Sequence, residues 1–313
     1  MEHAVFSESN SFHKTLRIFL ILTFFVRSNC FQKKDQQQPR HHYLLKPTRA
    51  KTLSTFLNVN TLVMSTETGS SYDNPRALVL SLIHHLGSRG SDSDIHLILA
   101  SQSPRRREIL DMMGLQGKFT PTPSPMDEEA FQQTISRNDP VKYTRKSAEE
   151  KARALALDIM STVNKPTLIL GSDTIVDLDG IILEKPVDKA DAKRMLRSMS
   201  GRKHSVHTGV ALYYLVPTTT SLEEHSDSAP PTLMASFTDT AQVCFSTISE
   251  KDMDAYIATK EPMDKAGSYG IQGIGGQFVR NIEGDFFTVM GLPMHRTSTI
   301  LAEAISKMTG NTI

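Results

Sequence analysis

The chain has 313 residues, 39% hydrophobic and 22% charged, which is enough material for one large domain or two small ones and too apolar for a disordered protein. A net charge of +1 and the absence of Trp exclude a broad nucleic-acid-binding face, so any basic character that matters must be local. Cys30 and Cys244 stand far apart without metal-ligand spacing, which argues against a disulfide framework and a zinc site and suits a reducing, cytoplasmic compartment.

In residues 1–66 the acids are Glu2, Glu8 and Asp35, set against a scatter of Lys, Arg and His. The apolar run 18–26 is too short to span a bilayer and resembles a signal-peptide core, so no stable membrane insertion is expected. The acid-poor stretch 33–65 has the composition of an organelle transit peptide, and the two parts together resemble an algal plastid presequence. A disordered tail, or a true start at Met64, fits the same composition. Residues 1–93 are therefore read as an N-terminal extension and 94–313 as the folded domain.

From His96 onward, short apolar runs alternate with amphipathic segments, the pattern of a mixed α/β or α+β domain. The first strand, Leu97-Ile98-Leu99, runs into Ala100-Ser101-Gln102-Ser103-Pro104-Arg105-Arg106-Arg107. Ser103 and Pro104 suit the start of a helix, but three arginines in a first turn oppose the helix dipole unless an anion sits among them. Arg106 also lies on the apolar stripe of Ile109 and Leu110, where a guanidinium needs a partner. This is a candidate phosphate seat.

Residues 118–123 read as a strand and 124–129 as an acidic loop, in which Asp127, Glu128 and Glu129 suit Mg²⁺ held by carboxylates and phosphates. Asp139-Pro140 opens a helix with the stripe Ala148, Ala152, Leu155, Ala156 and Ile159, which places Lys151 at the edge of the core. A buried strand, 167–171, ends at Ser172-Asp173-Thr174, so Asp173 sits where a carboxylate is presented to a cleft for proton transfer. Asp179-Gly180 marks a hairpin, after which Lys185 reaches the same cleft. Asp188 caps a helix ending at Met199 before Gly201. His204 and His207, at the start of the next strand, fit neutral packing or a surface position better than ligation. Runs 206–216 and 235–248 read as paired strands separated by an insertion, and Ser249 opens a helix ending near Lys260. Residues 261–276 read as a Gly-rich active-site loop in which Tyr269 offers a stacking face and Gln272 a donor and acceptor for a base edge. Strands at 277–282 and 286–290 and a helix at 293–308 close the chain.

Several short motifs occur together in order: Ser101-Gln102-Ser103-Pro104-Arg105-Arg106, Asp127-Glu128, Glu150-Lys151-Ala152, Gly171-Ser172-Asp173-Thr174, Glu184-Lys185-Pro186, Ser200-Gly201-Arg202-Lys203-His204, Glu261-Pro262-Met263-Asp264-Lys265-Ala266-Gly267 and Gly291-Leu292-Pro293. The set resembles the Maf family of nucleoside triphosphate pyrophosphatases over residues 96 to 308. The resemblance implies a two-lobed α/β fold of the Maf/ITPase type, with a mixed twisted sheet, flanking helices and a deep central cleft, and commonly a homodimer. It implies hydrolysis between the α and β phosphates of a nucleoside triphosphate, and residues 265–273 are similar to the branch acting on dTTP and UTP, modified pyrimidines included. The family also carries the label of septum-formation inhibition, so a nucleotide-binding regulator of cell division acting through a protein partner is the alternative to an enzyme. Gln242 departs from the family at a strand position where relatives often carry an acid.

The assignments that follow are Asp173 as general base, and Lys151 and Lys185 stabilising charge on the transferring and leaving oxygens. Ser101, Ser103, Arg105, Arg106, Tyr269 and Gln272 bind substrate. Glu128 and Asp173 hold Mg²⁺ or another divalent cation such as Mn²⁺.

Overall fold

The computed structural model describes residues 78–217 and 229–310. Expectations about the presequence, and about most of the insertion between the paired strands, lie outside the described residues.

A mixed eight-stranded sheet organises the domain, with the order β1-β2-β4-β6-β7-β8. Its strands are β1 (Leu86–Gly87), β2 (Ile95–Leu99), β3 (Thr120–Pro121), β4 (Thr167–Leu178), β5 (Ile181–Leu183), β6 (Lys203–Leu215), β7 (Thr232–Phe245) and β8 (Val279–Glu283). β2 pairs in parallel with β1, β3 and β4. From β4 onward the pairing through β6, β7 and β8 is antiparallel. Alternate residues of β2 and β4 face opposite ways, as the period of two requires. Leu97, Leu99, Leu168 and Leu170 join one core with Ile109, Leu110 and Leu301, whereas Ile98 and Ile169 join another with Ala148, Ala152 and Leu155. A third core lies at the other end of the sheet around Val176, Val206, Leu196 and Phe245.

The helices are α1 (Pro104–Leu110), α2 (Glu128–Thr134), α3 (Pro140–Ile159), α4 (Lys189–Met199), α5 (Glu250–Ala258), α6 (Phe286–Met290) and α7 (Met294–Thr309). Three of the expected caps form: the side chains of Asp139, Asp188 and Ser249 accept from the backbone N–H groups of Lys142, Asp191 and Asp252. None of the described helices is long and apolar enough to cross a membrane.

Four local readings are corrected. The acidic loop contains α2, because the Asp127 carboxylate caps it by accepting from Ala130 N–H at 3.0 Å. The strand at 118–123 shrinks to Thr120–Pro121. β4 does not stop at Asp173 but runs to Leu178, since Thr174, Ile175 and Val176 continue the ladder with β6. Residues 286–290 form a helix, whose start Asp285 caps through Phe287 N–H at 3.0 Å and whose end is Gly291 at φ 123°. A 3-10 turn, Val79–His85, precedes β1 and buries Val79 and Leu82, and Val79 N–H donates to Ser298 Oγ on α7 at 3.0 Å.

Two glycines set the position of α3. A Cβ on Gly171 would lie 2.5 Å from the Ala148 carbonyl oxygen, and one on Gly209 would lie 2.3 Å from that of Thr144. The helix therefore rests directly on the backbone of β4 and β6, where Gly209 is the register partner of Asp173. This contact delivers Lys151 to Asp173. Gly209→Ala should lift α3 and cost about 1–3 kcal/mol, the usual penalty of overpacking, with a loss of activity larger than the loss of folded protein. Urea melts paired with rate measurements check it, and an unchanged midpoint would mean that α3 has room to spare.

Candidate active site

A cleft of about 530 Å³ opens where α1, α3, β4 and the loop after β5 meet residues 264–272. The turn before α1 forms one end. Ser103 occupies the N-cap position as expected, but its side chain makes no cap bond; instead its N–H donates to the buried Ser101 Oγ at 3.1 Å. Ser101 Oγ also accepts from Arg106 Nη1 at 3.1 Å. Arg106 completes its set with Nε to the Gly291 carbonyl at 3.0 Å and Nη2 to Thr174 Oγ1 at 3.2 Å. All three acceptors are neutral. Burial lowers the guanidinium to about 10 despite nearby Asp173, so it remains a cation at neutral pH with no carboxylate bonded to it.

A directed chain of hydroxyls backs this arginine. Thr208 Oγ1 donates its one proton to the Thr288 carbonyl at 2.7 Å, so Thr174 must donate to Thr208 across 3.0 Å. The lone pairs of Thr174 are thereby left facing Arg106. Thr174 belongs to the Gly171-Ser172-Asp173-Thr174 motif, whereas nothing local in the sequence marks Thr208. Arg105 reaches the other way, to Asp264 Oδ2 at 2.9 Å and the Asp264 carbonyl at 3.2 Å, and ties α1 to the turn Glu261–Asp264.

Lys151 Nζ lies 2.7 Å from Asp173 Oδ1 and 3.0 Å from Glu128 Oε1. Burial alone would raise the Asp173 carboxyl, but the Lys151 ammonium and its hydrogen bond, with Arg106 and Ser147, hold it below the usual carboxylate range. For Lys151 burial works downward and is outweighed by Asp173 and Glu128, so the ammonium is held above its ordinary value. Both groups stay charged at neutral pH. Among the described residues no cluster of three or more His, Cys, Asp or Glu is arranged for a metal. Two carboxylates converging on one cation nevertheless form an all-oxygen donor set that Mg²⁺ takes when substrate phosphates supply further ligands. Asp127 is committed to its cap and Glu129 does not line the cleft, so the expected acidic trio reduces to Glu128 here.

Lys185 is exposed on the cleft wall and has no ion pair among the described residues. Its neighbour Glu184 is a hub that accepts from Tyr143 Oη at 2.9 Å, Arg137 Nη1 at 3.3 Å and Gln132 Nε2 at 3.3 Å. Burial and Glu184 together push the Tyr143 phenol well above its usual range. This hub joins α2, α3 and the loop of Lys185, and only its place in the quoted Glu184-Lys185-Pro186 motif marked it in the sequence.

At the other end of the cleft, Gln272 is exposed and Tyr269 is not the open stacking platform expected. Tyr269 is 6% exposed, its ring meets Phe245 edge-on at 4.8 Å, and its hydroxyl pairs with His204 Nε2 at 3.0 Å. Burial lowers His204 to about 4, which keeps it neutral. His207 is buried between Thr240 at 2.8 Å and Asp177 at 3.4 Å. Gln242, the departure from the family pattern, donates to Ser205 Oγ at 2.7 Å.

Residues 96–304 match the family described as Maf-like protein. Over 213 residues the chain is 45% identical to the dTTP/UTP pyrophosphatase of Shewanella sp., covering 67% of this chain and 98% of the relative. The protein of that description from Aliivibrio fischeri is 42% identical over 208 residues, with 66% and 97% covered. The one from Bacillus velezensis is 39% identical over 208 residues, with 66% and 95% covered. Among solved structures, the Ham1 protein of Staphylococcus aureus aligns with 69% of this chain and 100% of its own at 12% identity and a TM-score of 0.29, too loosely to bear on function.

Proposed function

The chain belongs to the Maf-like family, and from that premise we propose that it hydrolyses dTTP and UTP, and modified pyrimidine nucleotides, between the α and β phosphates to give the monophosphate and pyrophosphate. The observation that carries this reading is a half-buried Arg106 held by neutral acceptors in the same cleft as the Asp173–Lys151–Glu128 constellation. A triphosphate brings about four negative charges, and a site for it must offer cations that internal carboxylates do not already neutralise.

In this reading Arg106 and the turn at Ser101 and Ser103 grip the triphosphate, and Arg105 exchanges Asp264 for phosphate oxygen. Lys185 stabilises charge on the leaving pyrophosphate, and Lys151 does so on the transferring phosphoryl group. Asp173 accepts the proton of the attacking water. Its lowered pKa makes it permanently ionised but weakly basic, so its effect depends on the surrounding cations drawing charge off the phosphorus. Glu128 and Asp173 would hold Mg²⁺ or Mn²⁺ with the substrate, and such an ion supplies charge neutralisation. Gln272 presents its amide to the base edge. A homodimer in the cytoplasm belongs to the same reading, and sedimentation of the purified chain tests its oligomeric half.

The test is to supply the full chain with Mg²⁺ and dTTP, UTP, ATP or GTP and to separate the products. The expected result is monophosphate and pyrophosphate in equal amounts, formed faster from the pyrimidine nucleotides. Orthophosphate as the first product would overturn the bond assignment.

A further inference from the structure

The cleft wall that carries Gln272 is wrapped on side chains of its own. A Cβ on Gly273 would lie 2.5 Å from Glu261 Oε1, one on Gly275 would lie 2.5 Å from Tyr256 Oη, and one on Gly270 would lie 2.6 Å from Lys265 Cε. No side chain fits at these three positions while the cradle stands. The polar contacts agree with the steric ones. Glu261 Oε1 accepts from Tyr256 Oη at 3.0 Å and from Gly275 N–H at 3.1 Å, and Oε2 accepts from Ile274 N–H at 3.0 Å. Tyr256 Oη in turn accepts from Gly270 N–H at 3.2 Å. The backbone is thus fastened just before and just after Ile271-Gln272-Gly273, whereas the Gln272 side chain makes no hydrogen bond among the described residues.

We propose that Glu261 and Tyr256 are positioning residues for base selection, fixing the backbone on both sides of Gln272 so that its amide meets a pyrimidine edge in one orientation. The inference deepens the proposed dTTP/UTP reading and rests on it. Burial works to raise Glu261, but the loop amides, Tyr256 and Lys265 hold it below its usual range, so the cradle stays an anion at neutral pH. Lys265 Nζ donates to the Glu261 carbonyl and to Asp264 Oδ1, both at 2.6 Å, and Asp264 binds Arg105. Until Arg105 exchanges Asp264 for phosphate, the base end and the phosphate end of the cleft therefore share one scaffold. A loop already held in its binding form does not have to be ordered when the nucleotide arrives, so the cradle acts on KM and leaves kcat nearly alone.

Glu261→Gln turns one acceptor into a donor facing a donor, and Tyr256→Phe deletes the hydroxyl at nearly constant volume. In the full chain each should raise KM for dTTP and UTP about tenfold while changing kcat by less than about threefold, and leave KM for ATP and GTP unchanged. Amide exchange read by mass spectrometry over residues 270–275 should quicken in both free variants. Unchanged exchange would overturn the cradle itself. Faster exchange with pyrimidine selectivity retained would overturn its role in base selection and leave the reading of the site intact. A wild type without pyrimidine preference would overturn that reading and this proposal with it, whatever the exchange shows.

Discussion

Asp173→Asn should lower turnover by roughly 10²- to 10⁴-fold with the fold retained, the range expected when a general base is removed. The amide keeps the shape of the carboxylate, and its oxygen still accepts from the Lys151 ammonium now 2.7 Å away. What disappears is the negative charge between Lys151 and Arg106, and with it the acceptor for the water proton. Assays at several Mg²⁺ concentrations separate two ways of losing rate. A deficit that persists at saturating Mg²⁺ belongs to proton transfer, and one that Mg²⁺ restores belongs to ion binding. Near-normal rates at every concentration would remove Asp173 from both roles.

Stability should respond in a defined direction. The folded-state pKa of Asp173 is depressed, so its contribution is fully present above the unfolded value of about 3.9 and is lost as pH falls through the folded value. The difference in stability between wild type and Asp173→Asn should therefore be level from neutral pH down to about 4 and shrink below it. A difference that already shrinks between about pH 7 and 5 would mean that Asp173 has a raised pKa, as a buried carboxyl without its lysine would.

The parts of this site legible in the sequence are those that local chemistry determines. Pro104 opening a helix, arginines in its first turn, Asp139 and Asp188 as caps, and the alanine stripe of α3 each depend on neighbours within a few positions. They put Lys151 at the edge of the core and Arg106 on the apolar stripe of its helix, and both side chains are half-buried. Asp173 was legible as a cleft carboxylate but not as a residue in mid-strand, because the pairs that carry β4 past it, from Thr174 to Asp177, are made with β6, about thirty residues on, while the local hairpin with β5 reaches back only to Val176. Tyr269 misled for a similar reason: a tyrosine among glycines suggests a surface, yet Phe245 and His204 arrive from distant strands to enclose it. The Glu184 hub, the Thr174–Thr208 chain and the Glu261 cradle are assembled by such long-range contacts, and their residue types are ordinary for turns and strands. Only tertiary placement gives them meaning.

Arg106→Lys should impair catalysis by roughly 10²- to 10³-fold although the charge is kept, the scale seen when one fixed donor to a developing oxyanion is removed. The guanidinium spends Nε on Gly291, Nη1 on Ser101 and Nη2 on Thr174, and its planar fork is thereby locked in the cleft. A lysine ammonium is a point charge on a flexible stem, and it cannot satisfy these three acceptors and still offer paired donors to phosphate. Some stability should be lost as well, about 1–3 kcal/mol for the abandoned acceptors. The two effects are separable in thermal melts with and without a non-hydrolysable triphosphate. At a hundred times the wild-type dissociation constant, ligand stabilises the wild type by about 2.7 kcal/mol, while a variant bound a hundredfold more weakly gains only about 0.4 kcal/mol. If the baseline falls but both proteins gain equally from the ligand, Arg106 is a structural tie between α1, β4 and Gly291, and the phosphate must be held by the other cations of the cleft.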